Sequence, residues 1–135
     1  MVQETKYGVI SDVHQNPNTV PVAIRTLKKL GVEKLLVNGD IGGHYGSIEE
    51  SQRYTAFILD KIGRSGMESY VQPGSHETLL GYGLVIQAFA GNDGGKYSNI
   101  IDVINQKKFE AQGRGHDLVF LPGSDFTCGG EYQIG

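Results

Sequence analysis

The first 90 residues alternate short apolar runs with segments whose apolar residues recur at helical spacing. Three runs, Tyr7 to Ser11, Lys34 to Asn38 and Glu68 to Gln72, end in polar residues or in Pro-Gly. Runs of this length and bounding read as strands buried on both faces. Between the first two lies a predicted helix from Thr19 to Leu30, with Val20, Ile24, Leu27 and Leu30 on one face. Lys28 and Lys29 suit its C-terminal end, and Gly31 stops it. Ser47 and Glu50 form the sequence pattern of a capping box. The helix they open is predicted to reach about Ile62. A third helix is expected from Glu77 to about Ala90, although Gly81 and Gly83 each cost about 1 kcal/mol of helix stability.

Strands separated by helices of this length demand crossover connections. Such connections build a parallel sheet with its strand C-termini along one edge. Beyond the Gly91–Gly95 loop the pattern changes. Ile100 to Val103 reads as a short strand. Lys107 to Ala111 and Leu118 to Leu121 read as two strands joined by a glycine-rich turn, Gln112 to His116. The last third is therefore expected to be more antiparallel, within a single domain spanning residues 1–135. Twenty glycines fall in short clusters without a fixed period, as loops do and repeats do not.

Composition narrows the function classes. Hydrophobic residues make up 39% and charged residues 20%, which supports a packed core rather than disorder. The net charge is -3 and no stretch concentrates Lys and Arg, so no nucleic-acid surface is evident. Cys128 is the only cysteine, which excludes internal disulfides and multi-thiolate zinc sites and suits a cytoplasmic setting. No apolar run approaches the roughly 20 residues of a membrane helix.

The chemistry-bearing residues share one structural address. Asp12 and His14 follow the first strand, Asp40 follows the second, and Ser75-His76-Glu77 follows the third. Asp12 to Asp40 spans one strand-helix-strand unit, and Asp40 to Ser75 spans another. The C-terminal edge of an open α/β sheet is where ligands bind. Carboxylates and imidazoles without thiolates make a mixed O/N donor set for first-row divalent metals. Manganese, iron and zinc all suit it. A carboxylate such as Asp40 has two oxygens and can bridge a pair of metals.

These residues resemble three motifs of the calcineurin-like metallophosphoesterases. Ser11-Asp12-Val13-His14 is similar to that family's Asp-x-His motif, Gly39-Asp40 to its Gly-Asp motif, and Pro73-Gly74-Ser75-His76-Glu77 to its Gly-Asn-His-Glu motif. The resemblance implies an α/β/β/α sandwich, of which this chain would supply the N-terminal, parallel part of the catalytic domain. It implies two divalent metal ions, with Asp12 and His14 on the first, Asp40 bridging, and Ser75 where the family has an asparagine on the second. His76 would be catalytic, donating a hydrogen bond or proton to the phosphate or leaving group. The substrate class implied is a phosphomonoester or phosphodiester, on a small molecule or a nucleotide.

The chain departs from the family pattern in two ways. Ser75 is shorter than asparagine and a weaker neutral ligand, so the second metal is expected to bind less tightly. After His76 the only histidine is His116, whereas the family carries several later ones; Gly115-His116 mimics the start of its last motif without the second histidine. The expectation is that the missing ligands lie downstream and that the domain is incomplete. The alternative is a degenerate, non-catalytic relative acting as a scaffold. His44, His116, Asp125 and Cys128 are read as loop, turn or structural residues. A nucleotide-binding module lacks support, because no Gly-x-Gly-x-x-Gly or Walker-type loop follows the first strand.

Overall fold

The computed structural model describes residues 4–14, 16–42, 46–104, 108–111 and 115–123. His44, Asp125 and Cys128 lie outside the described residues. Four strands, β1 (Tyr7–Ile10), β2 (Lys34–Asn38), β3 (Glu68–Gln72) and β4 (Ile100–Asp102), form one sheet in the order β1-β2-β3-β4. All three pairings are parallel. The antiparallel part of the described chain is a separate hairpin of β5 (Lys108–Ala111) and β6 (His116–Val119).

Local sequence explains the connecting helices. Helix α1 (Thr19–Lys29) places Pro21 in its first turn, where a missing backbone N–H costs nothing. It ends in a Schellman motif: the Gly31 N–H donates to Lys28 O and the Val32 N–H to Leu27 O, with Gly31 at φ +80°. Helix α2 (Ile48–Arg64) is capped by Ser47, whose Oγ accepts the Glu50 N–H at 3.2 Å. Its acidic first turn and basic last turn suit the helix dipole. Ser51, Thr55, Ile58, Leu59 and Ile62 line one face and are buried.

The third helix differs from expectation. Glu77 is not helical; the segment opens at Thr78 with a π-helical turn, Leu79–Gly83, and becomes α-helix α3 only at Leu84–Phe89. Thr78 Oγ1 accepts the Gly81 N–H at 2.9 Å, and Gly81 lies so close to α2 that an added Cβ would stand 3.0 Å from Ser51 Cβ. Glycine at this position serves helix-helix contact rather than helix propensity.

A strand order that always steps the same way, with right-handed crossovers, puts every helix on one face of the sheet. The main core lies there: Val20 and Ile24 of α1, Ile58, Leu59 and Ile62 of α2, and Ile86 of α3 pack on Ile10, Leu35, Val37, Val71 and Ile100. The opposite face is covered by the hairpin region. Tyr70 stacks on Phe120 at 5.6 Å between ring centroids, and Phe109 meets both rings edge-on at 5.0 and 5.9 Å. This cover leaves Val9 of β1 57% exposed. No helix among the described residues is long and apolar enough to cross a membrane.

His116 opens β6 opposite Ala111 rather than lying in the turn. Its Nε2 is 2.6 Å from the Tyr7 hydroxyl. Tyr7 starts β1 and Asp12 lies beyond its last residue, so this contact is at the opposite end of the strand from Asp12. His116 therefore belongs to the other end of the sheet.

Candidate metal centre

Beyond the last residue of β1 and β2 the two chains continue to pair. The Asp12 N–H donates to Gly39 O and the His14 N–H to Asp40 O, both at 3.1 Å. Donors two residues apart meet acceptors one residue apart, which sets Asp12 and His14 side by side along the Gly39-Asp40 turn. Three non-glycine residues take left-handed backbone here: Asp12 at φ +53°, His14 at φ +51° and Asp40 at φ +53°. They are all of the described non-glycine residues with positive φ. Each such conformation costs of order 1–3 kcal/mol and persists only where surrounding structure enforces it.

The β2 and β3 turns meet through glycines. A Cβ on Gly39 would stand 2.5 Å from Gly74 N, and one on Gly74 would stand 2.5 Å from Asp40 Oδ1. The bare backbone at Gly74 lets Asp40 Oδ1 accept the His76 N–H at 2.9 Å. The His76 ring then lies with Nδ1 3.2 Å from the same oxygen. His14 and His76 face each other edge-on with ring centroids 5.2 Å apart.

Sequence alone missed the anchor of this arrangement, Glu77. Its side chain is 1% exposed, and its carboxylate accepts three backbone N–H groups from both turns. Oε2 takes Asp40 N at 2.9 Å and Gly74 N at 2.6 Å, and Oε1 takes Ile41 N at 2.6 Å. Burial pushes its carboxyl up; the three N–H donors oppose that, and the Asp40 charge adds to it, leaving it above the ordinary value. The signal that pointed to it was its place in the Pro-Gly-Ser-His-Glu run, which carried no information on where the side chain goes.

Burial also pushes the Asp40 carboxyl up, but the His76 N–H, the His76 ring and the His14 ring outweigh it and hold Asp40 below its ordinary value. Asp40 thus stands ready as a carboxylate between two imidazoles.

One ligand-capable atom from each of His14, Asp40 and His76 lies within 4.8 Å of the others. The 3.2 Å between Asp40 Oδ1 and His76 Nδ1 is hydrogen-bond distance. The donor set and its spacing fit a divalent cation. Asp12 stands at the rim, 67% exposed at its side chain, with Oδ1 3.6 Å from His14 Nε2. Ser75 adjoins the group, its Oγ 3.3 Å from His76 Nδ1. An open cavity of about 460 Å³, lined by Ser11, Asp12, Val13 and Asn16 among others, runs beside this rim toward α1.

The family model of calcineurin-like phosphoesterases matches residues 5–132. The chain belongs to this family. Calcineurin-like phosphoesterases bind divalent metals and act on phosphoric esters, in agreement with the donor set described above. A solved crystal structure shares the fold, with a TM-score of 0.57 and 18% identity over 82% of this chain. The chain spans half the length of that structure. No curated protein matches.

Proposed function

We propose that the protein is a metal-dependent phosphoesterase that hydrolyses a phosphomonoester or phosphodiester at a dinuclear centre. The observation that carries this reading is the convergence of His14, Asp40 and His76 within 4.8 Å, from three strand ends far apart in sequence. Asp12 and His14 would hold the first metal, Asp40 would serve both, and Ser75 would stand at the second. Bound there, the ions supply Lewis-acid stabilisation of phosphoryl charge and an activated water. Manganese, iron and zinc each suit these donors. His76 donates a hydrogen bond or proton to the phosphate or leaving oxygen, oriented by its Nδ1 contact with Asp40. Asp40 keeps its charge because both imidazoles favour the ionised form. The substrate is a phosphorylated small molecule or nucleotide, and the setting is the cytoplasm. The described residues form part of one catalytic domain.

The test is hydrolysis of aryl phosphate mono- and diesters by the full-length protein with added manganese. Asp40→Asn should lower kcat/KM by about 100-fold or more, since the bridging carboxylate orders both metals. Unchanged turnover would sink the assignment. Ser75 favours a second reading, a degenerate scaffold: its short hydroxyl is turned toward His76 Nδ1. Calorimetry with manganese separates the two, because a scaffold of this kind would bind none.

A further inference from the structure

We infer that Glu77 is a positioning residue that preorganises all three metal-binding turns before any ion arrives. The inference rests on the metal-site reading above and adds a role to a residue that touches neither metal nor substrate in it. The Glu77 carboxylate collects the N–H groups of Asp40, Ile41 and Gly74. Two belong to the β2 turn and one to the β3 turn, so a single buried anion ties the turns together.

The tie extends to the first turn. The Asp40 peptide presents its N–H to Glu77 and its C=O to the His14 N–H. Gly39, one residue earlier, accepts from Asp12. On the other side, Gly74 leads directly into Ser75 and His76, and the His76 N–H returns to Asp40 Oδ1. Asp12, His14, Asp40, Ser75 and His76 are thereby each one or two backbone steps from the same carboxylate.

An ionised acceptor makes shorter and stronger bonds than a neutral one. That strength is what can enforce the left-handed backbone at Asp40 and hold a cluster of ligands together without a cation. Glutamine is isosteric but cannot do the same work. Oε1 and Oε2 both accept, and an amide replaces one of them with a donor. Whichever way the amide turns, at least one buried N–H faces an N–H.

The experiment uses the full-length protein, wild type and Glu77→Gln, with two readouts. Amide hydrogen exchange without metal comes first. Ile41 and Gly74 should be as protected in the wild type as Val37 and Val71 within the strands. In Glu77→Gln protection should fall about 10-fold or more at Asp40, Ile41 and Gly74 while Val37 and Val71 keep theirs. Manganese calorimetry comes second, and affinity should fall about 10-fold or more. Loop-like exchange at Ile41 and Gly74 in the wild type overturns the proposal, and needs no variant. Loss of protection over the whole sheet in Glu77→Gln, or manganese affinity within twofold of wild type, also overturns it. Wild-type chain that binds no manganese but shows the protected amides refutes the metal reading instead, and with it the purpose of the clamp.

Discussion

At Asp12, His14 and Asp40 the backbone stands at φ values that side-chain-bearing residues avoid, and these are the residues placed around the candidate centre. Glycine would relieve the strain but bring no ligand. The strain is held by the Glu77 anion and by the pairing of the β1 and β2 turns. The glycines sit next door instead, where the chains touch. Gly74→Ala tests this division of labour. Its Cβ would stand 2.5 Å from Asp40 Oδ1 and 2.7 Å from Asp40 N. We expect manganese affinity to fall about 10-fold or more in calorimetry while far-UV circular dichroism stays unchanged, because the clash is confined to the turns. Retained affinity would mean that the turns can separate without cost to the site.

Among the elements, α2 is tied to the segment leading into β4 by polar and aromatic contacts. Its Asp60 accepts the Tyr97 hydroxyl on Oδ1 at 2.5 Å and pairs with Arg64 at 2.8 Å and Lys96 at 3.7 Å. The Tyr97 hydrogen bond is the largest influence on the Asp60 carboxyl and holds it below its ordinary value, with Arg64 and Lys96 adding to that against some burial. The Tyr97 ring lies directly over Gly63, where a Cβ would fall inside van der Waals contact with three ring carbons. In an exposed helix interior Gly→Ala stabilises by roughly 0.5–1 kcal/mol. At Gly63 the sign should reverse, with Gly63→Ala losing about 1–3 kcal/mol as the ring is displaced. Urea unfolding followed by circular dichroism reads this directly, and a gain in stability would show that Tyr97 moves freely.

For the whole molecule, Asp102 sets a pH dependence of folding. It ends β4, is 4% exposed, and accepts the Ile104 N–H on Oδ1 at 3.1 Å. Asn92 brackets its backbone with two hydrogen bonds of 2.8 Å. Burial, aided by a hydrogen bond with Asp93 and by that residue's charge, pushes its carboxyl up to about 7. The folded state therefore keeps a proton that the unfolded chain releases near 3.8. The stability this proton supports is full below about pH 4 and is lost as pH rises through 7. Asp102→Asn keeps the oxygen facing Ile104 and removes the charge. It should unfold like wild type near pH 3.5 and be about 1–3 kcal/mol more stable at pH 8. Parallel urea curves at the two pH values check it, and equal stabilities at pH 8 would refute it.

Much of this architecture is legible without coordinates. A strand buried on both faces must be apolar, so its first polar residues mark its end; that is why Asp12, Asp40 and Ser75 could be placed on one edge. The Ser47 cap, the Gly31 stop and the crossover lengths follow from rules acting over a few residues. What the chain's own order left open depends on groups far apart along it. Glu77 looked like the start of a helix because periodicity says nothing about three N–H groups waiting 3 to 37 residues away. His76 and Asp40 meet only because glycine at 39 and 74 lets two turns touch. His116 was placed in a turn by its glycine neighbours, but β6 carries it onto Tyr7 at the far end of β1. Local sequence determined the strands, the caps and the identity of the donors; the tertiary structure decided which donors meet, because contact distance is set by packing and backbone pairing rather than by spacing along the chain.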